Sequence, residues 1–235
     1  MNILITNDDG IYSDGIIRLA TIAKEYGNVW VIAPDSQRSG MSHMVTMRGS
    51  VELRKVDFPV TDVNAFSCNG SPSDCIKIGI LKALTHVDFV LSGINNNYNI
   101  TADLQYSATI GAALEASFLK VPAIAFSEGN PNNHAVADFY IKEIIEKLMR
   151  DFPGKNTVWN VNFPDCALSE CKGIKYDCTV STDDFYQEKY DEKIISENVK
   201  SYTLGFDRNW KGTEGTDLHA IIENYVAVSK VHNLN

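Results

Sequence analysis

Two adjacent carboxylates stand in an early loop of the chain, in the run Asn7-Asp8-Asp9-Gly10. Adjacent carboxylates repel each other and are costly to desolvate, so a cation between them would stabilise both. Their hard oxygen atoms suit a divalent cation such as Mg²⁺ or Mn²⁺. The alternative is that one aspartate caps the helix that follows while the other is solvated.

Two further loops carry groups that could complete such a site. One of them supplies the Ser39 hydroxyl, the Arg38 guanidinium and Gly40, at which the backbone can approach a ligand closely because there is no side chain. The other carries Asn95 and Asn96, and amide oxygens are neutral ligands for a hard cation. Each loop, taken alone, is also typical of an ordinary solvated turn.

An anion site is predicted where an alanine-rich helix begins, at Ser107, and this helix is expected to run to Leu119. The backbone N–H groups of Ser107, Ala108 and Thr109 would be free there, and such groups bind anions without a basic side chain. The alternative is that Ser107 or Thr109 serves only as a helix cap.

The elements that must position these loops alternate along the chain. Short apolar runs predict strands at residues 3–6, 29–33, 89–92, 123–127 and 157–163, with extended segments at 46–54 and 63–68. Helical patterns cover residues 14–26, 71–84, 107–119 and 135–150, and the second of these is expected to be capped by Ser71. This order predicts an α/β fold with a mostly parallel, doubly wound (Rossmann-like) sheet. Ligands bind beyond the carboxyl ends of the strands in such sheets, which is where the candidate loops would meet.

The chain is expected to form a single domain over residues 1–235, with an α/β core and active site at 1–165 and an arm and tail at 166–235. The segment Asp177–Lys200 is rich in Asp, Glu, Lys and Tyr. It predicts a C-terminal β-hairpin arm or a flexible lid, a kind of extension that often serves oligomerisation. A mobile surface loop is the alternative. Residues 216–231 regain an apolar character and predict a returning strand.

Composition excludes several classes of protein. The chain has 235 residues with 21 Lys and Arg against 30 Asp and Glu, and its formal net charge of -9 has the wrong sign for a nucleic acid polymer or an anionic membrane surface. No signal-peptide pattern and no apolar run of about 18 residues is found, so a cytoplasmic protein is expected. The five cysteines lack metal spacing and are interpreted as reduced thiols.

Taken together, the motifs resemble those of the SurE (survival protein E) family of metal-dependent 5'/3'-nucleotidases. The resemblance spans nearly the whole chain and keeps the motif order. The matching pieces are Asn7-Asp8-Asp9-Gly10, Ala33-Pro34 with Arg38-Ser39-Gly40, Asn69 to Cys75, Ser92-Gly93-Ile94-Asn95, Tyr106-Ser107 with Thr109, Asn160 to Pro164, Gly215-Thr216-Asp217 and Tyr225 to Val228.

The resemblance implies hydrolysis of nucleoside 5'-monophosphates to nucleoside and inorganic phosphate, with 3'-monophosphates and short polyphosphate as further candidate substrates. It implies one divalent cation per subunit, Mg or Mn, and a homodimer or homotetramer formed by exchange of arms. The metal ligands it implies are Asp8, Asp9, Ser39 and Asn95. Asp9 and Asp8 are the predicted catalytic residues, and Asp9 is expected to orient or deprotonate the attacking water. The residues expected to bind phosphate are Asn96, Ser107, Ala108, Thr109, Gly40 and Arg38.

Three positions depart from the family pattern, since Asn97, Thr101 and Ala108 stand where glycine is usual. Their side chains are expected to narrow the phosphate loop or to change its backbone angles. His43 lies near the loop of Ser39, where it would either contact a base or leaving group or simply be packed or solvated.

Two other functions are compatible with an acidic pair that binds a metal. A receiver-like Mg-binding signalling module would need a phosphoacceptor aspartate after the third strand, and Ser92-Gly93-Ile94-Asn95 provides none. A metal-dependent nucleoside N-glycosidase would release free base rather than inorganic phosphate.

Overall fold

A nine-stranded sheet forms the centre of the computed structural model, which describes residues 1–233. The strands of the chain are β1 (Asn2–Thr6), β2 (Asn28–Pro34), β3 (Leu53–Lys55), β4 (Asn64–Cys68), β5 (Phe89–Asn96), β6 (Ala123–Glu128), β7 (Thr157–Phe163), β8 (Ile174–Cys178), β9 (Tyr186–Ser196), β10 (Val199–Arg208) and β11 (Val226–His232). The α-helices are α1 (Asp14–Ala23), α2 (Pro72–Ile78), α3 (Ala108–Phe118), α4 (Ala135–Leu148) and α5 (Asp217–Ile222).

The strand order in the sheet is β3-β4-β2-β1-β5-β6-β7-β11-β8. All neighbouring pairs are parallel except β3 with β4 and β7 with β11. The chain builds outward from β1 through β2 to β4 and then returns to the other side of β1 with β5. Crevices for ligands form at such a reversal, beyond the carboxyl ends of the two strands. The topology therefore points to the loops that follow β1 and β5.

Helices cover both faces of the sheet, which confirms the predicted doubly wound α/β class. Helices α1 and α4 bury one apolar stripe against the first face, with Leu19 and Ile141 fully enclosed. On the opposite face α2 and α3 bury Ile76, Ile110 and Ala113. Burial of these stripes is the main force that holds the sheet edge and its loops in a fixed relation.

Local chemistry explains where several elements begin and end. Helix α2 starts with the predicted cap, since the Ser71 hydroxyl accepts from the N–H of Asp74 at 3.1 Å and the Asp74 carboxylate accepts from the N–H of Ser71 at 3.0 Å. A π-helical turn continues it through residues 79–83. Helix α1 ends at Ala23 rather than at Tyr26 because its last turn tightens, with the Tyr26 N–H donating to the carbonyl of Ala23 at 3.0 Å.

Two predicted boundaries differ more strongly from the structure. The strand predicted to stop at Ser92 runs to Asn96, because Asn95 and Asn96 pair with Ser127 and Glu128 of β6. Of the extended segment predicted at 46–54, only Leu53 and Arg54 lie in a strand, β3.

The prediction placed the α/β core at residues 1–165, but two strands from later in the chain also belong to the central sheet. Strand β11 pairs with β7, and β8 pairs with β11, so both extend the nine-stranded sheet. The returning strand predicted over 216–231 is present, but it begins at Val226 because Asp217–Ile222 forms α5. Among the strands of residues 1–233, only β9 and β10 lie outside the nine-stranded sheet. They form an antiparallel hairpin over residues 186–208, which lies later in the sequence than the predicted 177–200. None of the helices within residues 1–233 has the length and apolar character needed to cross a membrane.

Candidate active site

The turn after β1 is shaped by the side chain of Asn7. Its amide nitrogen donates to the carbonyl of Gly10 at 3.0 Å and to the Ser13 hydroxyl at 2.7 Å, and its oxygen accepts from the N–H of Gly10 at 3.2 Å. Gly10 has a φ of 105°, a conformation that side chains disfavour. Asn7 therefore holds the turn on which Asp8 and Asp9 stand, at the edge of the sheet.

Asp8 is buried, with 3 % of its surface exposed, and the Thr109 hydroxyl donates to its Oδ1 at 2.7 Å. Burial, together with the negative charge of Asp9, raises the pKa of Asp8 to about 6, although the hydrogen bond from Thr109 acts in the opposite direction. Burial also raises the pKa of Asp9, and the backbone N–H of Asn96, 3.2 Å from its Oδ2, acts in the opposite direction. The pair is thus a site of unfavourable negative charge.

In the part of the chain that the structure describes, no cationic side chain neutralises this pair. Among residues 1–233, neither carboxylate has a Lys, Arg or His nitrogen within 4.0 Å. The guanidinium of Arg38 instead donates through Nη2 to Asp35 Oδ1 at 3.1 Å and to the carbonyl of Asn69 at 3.2 Å. The backbone of Arg38 does reach the site, because its N–H donates to the carbonyl of Asp8 at 2.7 Å and ties the second loop to the first.

Neutral oxygen donors lie along the same cavity as Asp8. This cavity has a volume of about 620 Å³, and its wall includes Ser39, Gly40, Asn95 and Asn96. The amide nitrogen of Asn95 donates to the carbonyl of Asn97 at 2.8 Å, which leaves its carbonyl oxygen available as a ligand. Gly40 has a φ of 75° and no atom within 4 Å of the position that a Cβ would take. The backbone is therefore open to a ligand at Gly40.

The start of α3 matches the predicted anion site only in part. The Ser107 hydroxyl caps the helix by accepting from the N–H of Ile110 at 3.2 Å, and the Ser107 N–H donates to the carbonyl of Leu104 at 3.1 Å. Thr109 turns its hydroxyl onto Asp8, and Ser92 fixes Thr109 by donating to its carbonyl at 2.8 Å. Ser107 lines the cavity, whereas Ala108 and Thr109 are fully buried.

His43 acts on the loop that carries Ser39 rather than on the cavity. Its Nε2 lies 2.8 Å from Oε2 of the buried Glu115, whose Oε1 accepts from Lys77 at 2.8 Å. Ser42 adds a backbone bond to the carbonyl of Tyr106 at 3.0 Å. A charged residue in the middle of an alanine-rich helix was the signal in the sequence for such a partner. The loop is thereby fastened to α3 beside the site.

These observations fit a divalent cation of the Mg²⁺ or Mn²⁺ class. Two carboxylates without a counter-charge in residues 1–233, one hydroxyl and one amide oxygen come from two loops and the end of β5, at one edge of the sheet, and all are hard oxygen donors. A bound cation would remove the electrostatic cost of burying Asp8 beside Asp9.

The far wall of the cavity is formed by the hairpin β9–β10. Tyr186, Glu188 and Tyr190 of β9 and Leu204 and Phe206 of β10 all line the cavity. The arm was predicted to be a β-hairpin or a flexible lid that serves oligomerisation, and none of its residues was predicted to belong to the active site. The signal that this prediction missed is the period-two spacing of these side chains, which places them on one face of the hairpin.

Comparison with known proteins decides the family. A family model described as "Survival protein SurE" matches residues 3–188. A protein of Clostridium botulinum (strain 657 / Type Ba4) named "5'-nucleotidase SurE" is 36% identical over 237 residues, which cover 99% of this chain and 93% of the relative. The chain belongs to the SurE family. A SurE relative of the same name from Alkaliphilus metalliredigens (strain QYMF) is 35% identical over 243 residues, covering 99% of this chain and 92% of its own.

The fold is shared with a solved member of the SurE family. The "Crystal Structure of Sure Protein from Aquifex aeolicus" matches with a TM-score of 0.81 at 33% sequence identity, covering 99% of this chain and 93% of that one. Both the resemblance noted from the motifs and the α/β class are therefore confirmed.

The three residues that were expected to stand in place of glycine lie in different surroundings. Thr101 keeps a φ of 59° despite its side chain, and its hydroxyl and N–H bond to Asp103 at 3.2 Å and Asp217 at 3.1 Å. Asn97 Oδ1 accepts from Arg208 of the hairpin at 2.8 Å. Ala108 is buried in the first turn of α3. The side chains of Thr101 and Asn97 thus make hydrogen bonds that a glycine, which has no side chain, could not make.

Proposed function

We propose that this protein hydrolyses nucleoside 5'-monophosphates to nucleoside and inorganic phosphate, with one Mg²⁺ or Mn²⁺ per subunit. Nucleoside 3'-monophosphates and short polyphosphate are further candidate substrates. The observation that carries the proposal is the carboxylate pair Asp8 and Asp9, which has no cationic neighbour within residues 1–233 and stands at the switch point of the sheet. Similarity to relatives named 5'-nucleotidase SurE supports the reaction class.

Asp8, Asp9, Ser39 and Asn95 are the residues that would hold the cation. A bound divalent cation supplies a Lewis acid for a phosphoryl oxygen and lowers the pKa of a water molecule. The chain itself supplies rigidity, because Asp8 is held by Thr109 and Asp9 by the N–H of Asn96. Ligands fixed by such outer partners keep their orientation when charge moves in the reaction.

Asp9 is the residue that we assign to the attacking water. It is the less buried of the two carboxylates, so one of its oxygens can orient the water and accept its proton. Phosphate oxygens would be bound by donors that line the cavity, namely the Asn96 side chain, the Ser107 hydroxyl and the backbone at Gly40. Arg38 takes no part in this scheme because its guanidinium is held by Asp35 and Asn69. Thr109 acts through Asp8 instead of through the phosphate.

We also propose a homodimer or homotetramer in which the outer part of the hairpin contacts another subunit. Apolar side chains near its tip are more than half exposed in the single chain, at 70% for Ile194, 56% for Ile195 and 51% for Val199. Exposed apolar groups of this kind are typical of an interface. Size-exclusion chromatography with light scattering tests this part, and a monomer at working concentration would contradict it.

Product analysis with a panel of nucleoside monophosphates tests the reaction. Inorganic phosphate and free base are measured after incubation with Mg²⁺, with Mn²⁺ and with EDTA. We expect phosphate and nucleoside with either metal, loss of activity with EDTA, and no stable phosphoprotein. Release of free base would instead indicate an N-glycosidase, a phosphorylated protein would indicate a receiver-like module, and equal activity with EDTA would refute the metal requirement.

Matched variants show whether the reaction belongs to this site. Asp9→Asn removes one carboxylate of the pair, and we expect its phosphate release to fall by about 100-fold or more, since metal and water lose a charged ligand. Asp57→Asn removes an equal charge from an exposed position. Wild-type activity is expected for it, and an equal loss in both variants would refute the assignment.

A further inference from the structure

Two motifs from the later part of the sequence have no role in the proposed mechanism. They are the run Asn160 to Pro164 at the end of β7 and the run Gly215-Thr216-Asp217 at the start of α5. Each motif buries a polar side chain, since Asn162 and Asp217 both have 0% of their surface exposed. Burial of a polar group is costly unless the group is paired, so the partners of these two side chains indicate what the motifs do.

Asn162 binds the backbone of Asn99, which lies three residues after Asn96. Its Oδ1 accepts from the N–H of Asn99 at 2.8 Å, and its Nδ2 donates to the carbonyl of Asn99 at 3.0 Å. The same carbonyl accepts from Asn160 at 2.8 Å, and the Asn99 side chain donates to the Ser127 hydroxyl at 2.8 Å. Side chains of β6 and β7 thus hold Asn99 by its N–H, its carbonyl and its amide nitrogen.

Asp217 binds the backbone of Thr101, two residues further along the same segment. Its Oδ2 accepts from the Thr101 N–H at 3.1 Å, while its Oδ1 accepts from the N–H groups of Ser181 at 2.9 Å and Leu218 at 2.8 Å. Thr101 has a φ of 59° and a ψ of -169°, a backbone conformation that is strained for a residue with a side chain. Such strain persists only where the surrounding contacts enforce it, so the segment is held firmly at this point.

The held segment sets the orientation of the Asn95 side chain. Asn95 Nδ2 donates to the carbonyl of Asn97 at 2.8 Å, and because an amide is planar, this bond also decides where the Asn95 oxygen points. Asn97 lies between the end of β5 at Asn96 and the fixed residue Asn99. A shift of Asn99 would therefore turn the amide oxygen that is proposed to bind the cation.

The 3₁₀ turn that follows Thr101 is fastened to the loop that carries Ser39. The carbonyl of Tyr106 accepts from the Ser42 N–H at 3.0 Å, and the Ser42 hydroxyl donates to the carbonyl of Gln105 at 2.6 Å. A displacement at Thr101 would therefore reach this loop as well as the end of β5.

We propose that Asn162 and Asp217 are positioning residues for the reaction, which fix residues 97–101 so that the Asn95 oxygen and the Ser39 hydroxyl keep the spacing that one cation needs. The inference rests on the proposed function, because Asn95 and Ser39 are proposed metal ligands. Asn162 and Asp217 do not line the cavity themselves, so they act through the segment and not on the substrate. Loss of an outer partner of a metal ligand commonly costs about 10–100-fold in metal affinity or activity.

Two variants remove the two anchors separately. Asn162→Ala deletes both bonds to the backbone of Asn99. Asp217→Asn keeps the shape of the side chain but has one oxygen only, so its NH₂ group faces the N–H of Thr101 when that oxygen serves the other two donors. Ile141→Ala is the matched control for lost stability, because it opens a cavity under α4 without any contact to the segment.

Three quantities are measured where circular dichroism shows the variants to be folded. They are the dissociation constant of Mn²⁺ by electron paramagnetic resonance, kcat and KM for a nucleoside 5'-monophosphate at saturating Mn²⁺, and amide deuterium exchange over residues 97–107. We expect Asn162→Ala and Asp217→Asn to bind Mn²⁺ about 10- to 100-fold more weakly, to lose about 10-fold or more in kcat, and to exchange faster over this segment. Ile141→Ala should keep the wild-type values of all three although it is less stable.

Wild-type Mn²⁺ affinity and kcat in both variants would refute the positioning role and leave the proposed function intact. Equal losses in Ile141→Ala would also refute it, because instability alone would then explain them. An effect in one variant only assigns the role to that residue and refutes it for the other, and if Asn162→Ala does not fold, Asp217→Asn decides. A wild type that releases no phosphate would refute the proposed function, and Mn²⁺ affinity with deuterium exchange then decides the positioning role by the same comparison.

Discussion

Replacing Thr109 by valine should weaken metal binding although Thr109 is not itself a proposed ligand. The change keeps the shape of a fully buried side chain and removes the hydroxyl that donates to Asp8 Oδ1 at 2.7 Å. Asp8 then loses the hydrogen bond that fixes the orientation of its carboxylate. The methyl group that replaces the hydroxyl cannot restore this contact.

The expected size of the effect follows from the charge and burial of the partner. A hydrogen bond to a charged group contributes about 1.5–3 kcal/mol, which corresponds to a factor of about 10 to 150 in a dissociation constant. Loss of an outer partner of a metal ligand commonly costs about 10–100-fold in affinity. We therefore expect Mn²⁺ to bind Thr109→Val about 10- to 100-fold more weakly than wild type.

Titration of Mn²⁺ by electron paramagnetic resonance measures this affinity without substrate. Thr109→Ser is the matched control, because it keeps the hydroxyl and should bind Mn²⁺ nearly as wild type does. Circular dichroism confirms that both variants are folded. A valine variant with wild-type affinity would refute the argument that Thr109 orients Asp8 for the metal.

Three further predictions concern stability. Asn162→Ala should lower the free energy of unfolding, measured by urea titration, by about 2–4 kcal/mol. The reason is that the Asn162 side chain forms hydrogen bonds with both the N–H and the carbonyl of buried Asn99. A loss under about 0.5 kcal/mol would contradict this reasoning. In thermal unfolding, Thr101→Gly should be more stable than Thr101→Ala by about 1 kcal/mol, because only glycine adopts the φ of 59° at this position without strain. The reverse order of stability would count against backbone strain. At Glu115 burial opposes ionisation, but the hydrogen bonds from His43 and Lys77 outweigh it and hold the pKa of Glu115 below its usual value. A carboxylate with a depressed pKa stabilises the folded state above the unfolded-state pKa, and this stabilisation is lost as pH falls through the folded-state pKa. The difference in unfolding free energy between wild type and Glu115→Gln should therefore be larger at about pH 7 than at about pH 4. A difference that does not change with pH would refute the ion pair.

Much of the fold could be predicted because strong local signals agree with the global arrangement. The apolar runs of β1, β2, β6 and β7 and the capping box at Ser71 are local features, and the structure bears them out. The place of the candidate site also followed, since carboxyl ends of parallel strands must meet at one edge.

Other features depend on tertiary partners that a single sequence does not reveal. Strand β5 extends to Asn96 only because β6 pairs with it there, and β11 joins the sheet at β7 from more than sixty positions further along the chain. The sequence predicted phosphate binding by Arg38 but did not reveal that its guanidinium donates to Asp35 and to the carbonyl of Asn69. Side-chain partners of this kind are set by loop geometry rather than by spacing.

The metal dependence of phosphate release is the measurement that tests the central claim most directly. Protein freed of metal is assayed with a nucleoside 5'-monophosphate while Mn²⁺ is added stepwise, for wild type and for Asp9→Asn. We predict that wild type releases no phosphate without metal and reaches full activity at one Mn²⁺ per subunit. Asp9→Asn should stay at least about 100-fold less active at every concentration. Full wild-type activity without metal, or equal titration curves for the two proteins, would contradict the assignment of Asp8 and Asp9 as the metal-binding pair.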